Sequence, residues 1–284
     1  MDLVPHLFIA AVHAIIPDHE LSNLSESRLE NWSKVSEKLK TTEVNLGIGC
    51  AQTETSSKWY LWFSNGLSKL IPPDVVMATK NVRVVSVEVL GIYGPSNFDL
   101  AREISQENTN GVVKRFIEAN LVSYPKSLKI GSNLSFPDID FGDRLFTKLN
   151  IAYYGPNSLK MLKHQAEFAD IKIVKLQGEW PEEAKESLTA IIGNPCCQEV
   201  KTENLCFSLE SFYALFERFL EGDTAWGHLW LEGPTDLKLE EICAWKVELQ
   251  EYCVDDKGMV WETGSMRLEV SIEDGWIEAD VFGV

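Results

Sequence analysis

Long apolar runs and blocks of positive charge are both missing from this sequence of 284 residues. No stretch approaches the roughly 18–20 apolar residues that span a bilayer, so the sequence predicts no transmembrane helix. Lys and Arg number 26 against 43 Asp and Glu, which gives a formal charge of −17. Because phosphate groups and anionic lipids require a concentrated basic surface, nucleic acid and membrane are not expected partners.

Cysteine is also scarce, with six residues in the whole chain. That number is too small for a disulfide framework at this length. The first residues do not predict a secretory leader, because Asp2 is acidic and Pro5 and His13 interrupt the first apolar run. We therefore expect an intracellular protein, either cytoplasmic or nuclear.

Signatures of catalysis and of nucleotide or metal binding are absent from the sequence. It contains no P-loop, no nucleophile elbow and no C-x-x-C pair. The segment Gly47–Gly49 is a lone G-x-G without the third glycine of a dinucleotide site, and a glycine-bearing strand is the alternative. The acidic segment 138–143 resembles half of a calcium loop, but its twelfth position is Leu149 instead of glutamate. We therefore expect a protein that is not an enzyme and that holds no cofactor or metal.

The spacing of apolar residues divides the chain near residue 40. Residues 1–40 predict three short amphipathic helices, which cannot bury three apolar faces alone and need a partner or the rest of the chain. A β-hairpin is predicted at 43–64, and β-strands with a hairpin turn at Asp274-Gly275 are predicted within 259–282. Between these regions, strands are predicted at 82–90, 127–135, 148–154, 171–177, 198–203 and 226–232, and helices at 97–107, 111–121, 156–168, 181–192, 208–221 and 235–251.

Four of the predicted strands fit an L-x-x-L-x-L-like spacing. The four segments are Phe146/Leu149/Ile151, Ile171/Val174/Leu176, Cys197/Val200/Thr202 and Trp226/Leu229/Leu231. Their central positions lie 25, 26 and 29 residues apart, which is the period of leucine-rich repeats that combine one strand and one helix. Strand alternation also allows a two-residue shift in one unit. An ordinary α/β sheet with evenly sized crossovers is the alternative.

Two further features indicate surfaces that contact other molecules. Residues 231–284 carry 14 acidic and 4 basic side chains, which is typical either of a solvated outer face or of a patch for a basic partner. Four aromatic residues alternate across the predicted strand at 58–64, namely Trp59, Tyr60, Trp62 and Phe63. One face of that strand is expected in the core, and the other face contacts a neighbouring layer or a partner.

Val4-Pro5 opens the first helical segment, and Trp32 follows the proline by 27 residues. This arrangement resembles an F-box, the short helical motif that docks onto the Skp-type adaptor of cullin–RING ubiquitin ligases. The Val-Cys pair that usually precedes the tryptophan is replaced by residues around Leu29. The residues to which the resemblance assigns adaptor binding are Pro5, Leu7, Phe8, Val12, Ile16, Leu21, Leu24 and Trp32.

The whole plan, including a W-P-x-x-x-K segment at 180–185, is similar to the nematode F-box and F-box-like proteins with divergent leucine-rich-repeat or FTH-type C-terminal regions. The resemblance implies an α/β fold with an F-box-like helical module at 1–40. A divergent leucine-rich-repeat-like domain with a C-terminal β-hairpin would follow at 41–284. The C-terminal domain would select an unidentified protein target, and the module would connect that target to the ligase.

Two alternatives remain open at this stage. The chain could be a binding or inhibitory module in which the N-terminal helices merely cover the repeat core. It could also be an α/β enzyme whose site is assembled from loops, which predicts a deep pocket with convergent polar groups.

Overall fold

The computed structural model of the chain describes most of the region beyond residue 41. The described residues are 42–52, 57–65, 69–78, 82–92, 101–105, 127–131, 141, 144–222, 228–243, 250–255 and 258–283. The predicted module at 1–40, with all eight residues assigned to adaptor binding, lies outside them, and so does the predicted helix at 111–121. The described residues confirm an α/β fold that one large sheet dominates.

Strands outnumber helices in the described chain. The strands are β1 (Thr42–Gln52), β2 (Ser57–Ser64), β3 (Leu70–Ile71), β4 (Val82–Ile92), β5 (Arg102–Ile104), β6 (Ser127–Ile130), β7 (Lys148–Ala152), β8 (Ile173–Gln177), β9 (Glu199–Thr202), β10 (His228–Pro234), β11 (Gln250–Asp255), β12 (Gly258–Glu262), β13 (Met266–Glu273) and β14 (Trp276–Gly283). The helices are α1 (Pro73–Ala78), α2 (Pro156–Phe168), α3 (Ala184–Ile192), α4 (Leu209–Glu221) and α5 (Leu239–Cys243).

The described strands form one sheet with a parallel centre and antiparallel flanks. The parallel neighbours are, in order, β1, β4, β6, β7, β8, β9 and β10. On one flank β2 pairs antiparallel with β1, and β3 and β5 pair with β2. On the other flank β14, β13, β12 and β11 extend the sheet beyond β10. Parallel strands require long crossovers, and in the described part these are where the longer helices lie.

Three helices cover one face of the parallel region. Helices α2, α3 and α4 connect β7, β8, β9 and β10, which are neighbours in the sheet in the same order as in the sequence. Helix α2 contacts α3, and α3 contacts α4. Because helices on opposite faces of a sheet could not touch, all three lie on one side. We call that side the helix face and the other side the open face.

Burial alternates along the strands as this one-sided arrangement requires. Side chains of the helix face are buried, among them Leu149, Ile151, Val174, Leu176, Val200, Leu229 and Leu231. The residues between them point to the open face and are exposed or half-buried, among them Lys148, Lys175, Lys201 and Trp230. The helix layer also reaches the antiparallel flank, because Phe216 of α4 packs edge-on against Trp261 of β12 at 5.7 Å between ring centroids.

The positions of the predicted repeat lie in register on the helix face, with one shift. Leu149 lies opposite Val174, and Val174 lies opposite Val200. The next partner in the row is Leu231, two residues beyond the predicted Leu229. The two-residue shift that strand alternation allows therefore occurs in the fourth unit.

Gly233 explains the shift. A Cβ atom on Gly233 would lie 2.3 Å from Oγ1 and 2.9 Å from the carbonyl oxygen of Thr202. Strand β10 can therefore pass this close to Thr202 only where it carries a glycine. The shifted register places that glycine beside Thr202 and leaves Leu229 and Leu231 buried.

Both predicted hairpins are confirmed. Strands β1 and β2 pair antiparallel, and the indole of Trp62 lies so close over Gly47 that a Cβ there would be 2.0 Å from the ring. Strands β13 and β14 are joined by Asp274 and Gly275, whose φ angles are 51° and 75°. Positive φ at both central residues is what a type I′ hairpin turn requires.

The predicted helix ends are largely confirmed. Helix α2 spans the predicted 156–168, and α4 begins after Ser208, whose side chain accepts a hydrogen bond from the Ser211 backbone N–H at 3.3 Å. The same helix ends at Gly222 in the left-handed conformation, with φ of 67°. Helix α3 ends before Gly193 as predicted, but it begins at Ala184, after the predicted start at 181.

One predicted helix is wrong, and another is confirmed only in part. Within the predicted helix 97–107, residues 102–104 form strand β5 on the outer edge of β2, and Lys58 of β2 lies 3.1 Å from Glu103. Within the predicted helix 235–251, residues 239–243 form α5, whereas Gln250 and Glu251 belong to β11 at the opposite edge of the sheet. In both places backbone pairing with an otherwise open edge strand outweighs local helix propensity.

A polar side chain at the end of each of the three helices reaches back to the backbone that precedes its own strand. In α2, Gln165 donates to the carbonyl of Arg144 and accepts from the N–H of Phe146 at 2.8 Å. Beyond α3, Asn194 donates to the carbonyl of Ala169 at 3.3 Å. In the last turn of α4, Arg218 donates to the carbonyls of Ile192, Pro195 and Cys197 at 2.9–3.2 Å.

We expect Gly233→Ala to destabilise the protein by about 1–3 kcal/mol, because the added methyl group overlaps Thr202 in a filled core. The measurement is the free energy of unfolding in urea. Gly264→Ala is the matched control, since nothing lies within 4 Å of a Cβ at Gly264. Equal stability of the two variants would contradict the close approach of β10 to Thr202.

We expect Arg218→Met to cost about 2–4 kcal/mol, because it leaves three carbonyl groups near the start of β9 without their donor. Urea unfolding measures this loss. Glu217→Gln, at the exposed neighbouring position, should change stability by less than about 0.5 kcal/mol. If the two variants were equally stable, the hydrogen bonds of Arg218 would not stabilise the segment that precedes β9.

Candidate functional site

The described residues offer no metal centre and no membrane span. Within them, no three His, Cys, Asp or Glu side chains come together as metal ligands. None of the helices that the structure describes has the length and apolar character needed to cross a bilayer.

Polar side chains, all but one of them charged, form a continuous row across the open face. The row contains Lys129, Asn150, Lys175, Lys201, Glu232 and Glu278, each directly opposite the next on the neighbouring strand. Lys175 forms an ion pair with Glu199 at 2.7 Å, and Lys201 forms one with Glu232. The row is thus basic over β6 to β9 and acidic over β10 and β14.

A groove of about 560 Å³ lies on the open face at the acidic end of this row. Its open-face walls and floor include Trp230, Asp280, Glu269 and Val260 in one row, and Glu278 and Ser271 in the next. We call it the Trp230 groove. It crosses the four strands β10, β14, β13 and β12, so a rigid sheet holds its side chains in place.

The first row sets the chemistry along the groove. Trp230 lies opposite Asp280, Asp280 opposite Glu269, and Glu269 opposite Val260. At about 4.8 Å per strand, Trp230 and Val260 are about 14 Å apart. Trp230 is 37% exposed, while Val260 is buried. The groove therefore has an aromatic end, two carboxylates in its middle and an aliphatic end.

Carboxylates dominate the electrostatics of the groove. Partial burial, together with the facing Glu269, raises the pKa of Asp280 above its usual value, and His228 acts in the opposite direction. His228 Nδ1 lies 2.9 Å from Asp280 Oδ1, and Arg267 Nε lies 2.7 Å from Glu269 Oε1. Neither contact is a hydrogen bond. Asp280 Oδ1 and Arg267 Nε are both buried and accept or donate no hydrogen bond among the described residues.

Glu278 completes the acidic side of the groove. It is exposed, lies opposite Glu232, and forms no ion pair with any residue that the structure describes. Glu232 is itself paired with Lys201. The groove thus presents an exposed indole beside a carboxylate that remains available, which suits a cation rather than an anion.

The residues singled out by sequence fall in different places. The eight residues assigned to adaptor binding and most of the acidic segment 138–143 lie outside the described residues. Gly47–Gly49 lies inside strand β1, so the glycine-bearing strand is confirmed there. In β2, Trp59 and Phe63 are buried in the core, and Tyr60 and Trp62 are half-buried on the other face.

Trp230 is not among the residues predicted to form a site, although the sequence pattern around it indicates that its side chain faces away from the core. The predicted repeat places Leu229 and Leu231 in the core, so alternation puts the residue between them on the opposite face. A tryptophan at an outward position of a strand is uncommon enough to mark a contact surface.

One buried thiol can be excluded as a nucleophile. Cys197 is buried just before β9, and burial raises the pKa of its thiol to about 12 despite the nearby Arg218. A reactive cysteine needs thiolate near neutral pH, and Cys197 has almost none.

No protein-family model matches the chain, and no curated relative matches it. Two solved structures of the MycE methyltransferase from the mycinamycin biosynthetic pathway show a weak likeness. One holds Mg, SAH and mycinamycin VI, and the other holds Mg and SAH. Each is 10% identical to this chain, covers 91% of it and 90% of its own length, and has a TM-score of 0.21. At that TM-score the likeness supports no conclusion about fold or function.

We expect Cys197 to resist iodoacetamide at pH 8 in the folded protein. Its pKa near 12 leaves a thiolate fraction of about 10⁻⁴, against roughly a quarter for an unfolded cysteine. Peptide mapping by mass spectrometry should show Cys197 reacting at least about 100-fold more slowly than the half-buried Cys196 and Cys206. In urea all three should react alike. Equal rates in the folded state would contradict the burial of Cys197.

Proposed function

We propose that this chain is a non-enzymatic protein-interaction adaptor, an F-box-like substrate-recruiting subunit of a cullin–RING ubiquitin ligase. In this proposal the body formed by residues 41–284 binds a protein target. Residues 1–40 bind the Skp-type adaptor, through the positions that resemble an F-box.

The observation that carries the first half of the proposal is the one-sided placement of helices α2, α3 and α4. It buries the helix face and leaves charged and aromatic side chains of several strands on an accessible open face. A rigid, extended surface of this kind is suited to binding another macromolecule. The groove on it is lined by side chains of four neighbouring strands, which present them across the sheet.

The same body supports a divergent leucine-rich-repeat-like organisation as part of the proposal. Three consecutive units each contain a strand, a helix and a polar residue that ties the helix end to the start of that strand: Gln165, Asn194 and Arg218. Units that repeat one set of contacts and touch only their neighbours are typical of solenoid proteins.

The second half of the proposal rests on the resemblance of residues 1–40 to an F-box. Helix-in-groove docking would use Phe8 and Val12 as apolar anchors. A buried aspartate at either position would be unpaired in an apolar interface, which costs several kcal/mol and abolishes binding.

We expect the full-length chain to co-purify with a Skp-type adaptor when the two are expressed together, and Phe8→Asp or Val12→Asp to abolish this. The control is Tyr213→Asp, at an exposed position of α4, which should leave co-purification unchanged.

Thermal unfolding of the isolated variants supplies a second readout. If Phe8→Asp lowers the unfolding midpoint strongly, residues 1–40 cover the body of the chain, and the alternative of a module without ligase association gains support. Absence of co-purification with the unmodified chain would remove the ligase proposal.

A further inference from the structure

The Trp230 groove differs from the rest of the open face in both shape and charge. Elsewhere on this face lysines form ion pairs with glutamates on adjacent strands, as Lys175 does with Glu199 and Lys201 does with Glu232. In the groove, by contrast, Asp280 and Glu269 face each other directly, which is unfavourable for two like charges. Their cationic neighbours, His228 beside Asp280 and Arg267 beside Glu269, lie close but without hydrogen-bond geometry.

We propose that the Trp230 groove binds an extended basic segment of the target protein, with a Lys or Arg side chain seated against Trp230 and Glu278. This inference rests on the proposed function, because it assumes that the open face is the target-binding surface. It names the chemistry that this surface selects.

Charge complementarity identifies the occupant. The chain carries a net charge of −17, and residues 231–284 contribute −10 of it. The groove lies within this acidic region except for its Trp230 wall. An acidic protein attracts basic segments and repels acidic ones at long range. A basic occupant would also relieve the repulsion between Asp280 and Glu269 and supply Glu278 with a partner.

The dimensions of the groove suit an extended peptide. The distance of about 14 Å from Trp230 to Val260 corresponds to about four residues of extended chain. In such a chain, side chains two positions apart lie on the same side and about 7 Å from each other. A cationic side chain against the Trp230 indole would therefore place the next side chain on that side between Asp280 and Glu269, with the aliphatic end at Val260 beyond them.

Replacement of Trp230 distinguishes binding in the groove from attraction of basic peptides by the overall negative charge of the protein. The indole contributes a cation–π contact worth about 0.5–2 kcal/mol and a large apolar contact area. Replacing it by alanine leaves the net charge of the protein unchanged. A protein that attracted cations through its overall charge alone would bind a basic peptide equally well after this change.

The test uses full-length protein and three fluorescein-labelled ten-residue peptides that alternate Val or Thr with Lys, Gln or Glu. Fluorescence anisotropy at 150 mM NaCl measures binding. We expect the lysine peptide to bind, and the glutamine and glutamate peptides to bind at least about 10-fold more weakly. Trp230→Ala and Glu278→Gln should each weaken binding of the lysine peptide by about 5- to 30-fold.

The controls lie on the opposite side of the molecule. Tyr213→Ala removes another exposed aromatic residue, and Glu217→Gln removes another exposed carboxylate, both on helix α4. Neither should change peptide affinity by more than about 2-fold. Because Trp230 lies outside the core, Trp230→Ala should remain folded at the temperature of the binding assay, which thermal unfolding checks. Glu278→Lys, at an exposed position, is a second variant that should abolish binding.

The outcomes separate this inference from the proposed function. Absence of lysine-peptide binding, or equal binding by Trp230→Ala and the unmodified chain, would overturn the inference while leaving co-purification with the adaptor intact. Groove-dependent binding by a chain that does not co-purify with the adaptor would support the inference and remove only the ligase connection. Trp230→Ala should not affect co-purification, because the proposed function assigns adaptor binding to residues 1–40 alone.

Discussion

The ties from helix ends back to strand starts are the contacts on which the rest of this structure depends. Burial of apolar side chains favours helices that cover the sheet. Because this effect has no direction, it does not determine the position of each helix along its strand. The hydrogen bonds of Gln165, Asn194 and Arg218 are directional, and their buried partners are costly to leave unsatisfied. They therefore fix each helix relative to its own strand. Because the same kind of contact positions three successive helices, α2, α3 and α4 pack side by side on the helix face. None of these three helices covers the open face.

Sequence patterns predicted the elements whose causes are local. Helix α2, the cap at Ser208, the left-handed Gly222 and the turn at Asp274-Gly275 each depend on residues within a few positions of one another. Strands β5 and β11 depend instead on which strand edge is open, and that is decided by residues distant in the sequence. The shift at Gly233 likewise requires knowing that Thr202 lies beside it. Contacts of this kind are not encoded in any single window of sequence.

The candidate site shows the same division. Alternation around Leu229 and Leu231 is sufficient to place Trp230 on the open face, so this part of the groove could be predicted from the sequence. The meeting of Trp230 with Asp280, Glu269 and Val260 could not, because it depends on the order in which β10, β14, β13 and β12 pair. The acidic composition of residues 231–284 is typical either of a solvated outer face or of a patch for a basic partner, and it does not locate such a patch on the sheet.

The open face also separates recognition from stability. Its ion pairs, such as Lys175 with Glu199, are partly exposed, and pairs of that kind contribute at most about 1 kcal/mol. The helix face carries the buried apolar side chains and the ties at Gln165 and Arg218, where single substitutions cost several times more. Substitutions on the open face can therefore alter charge and shape with little effect on folding. A body built in this way can change the surface that it presents while keeping the same sheet and helices.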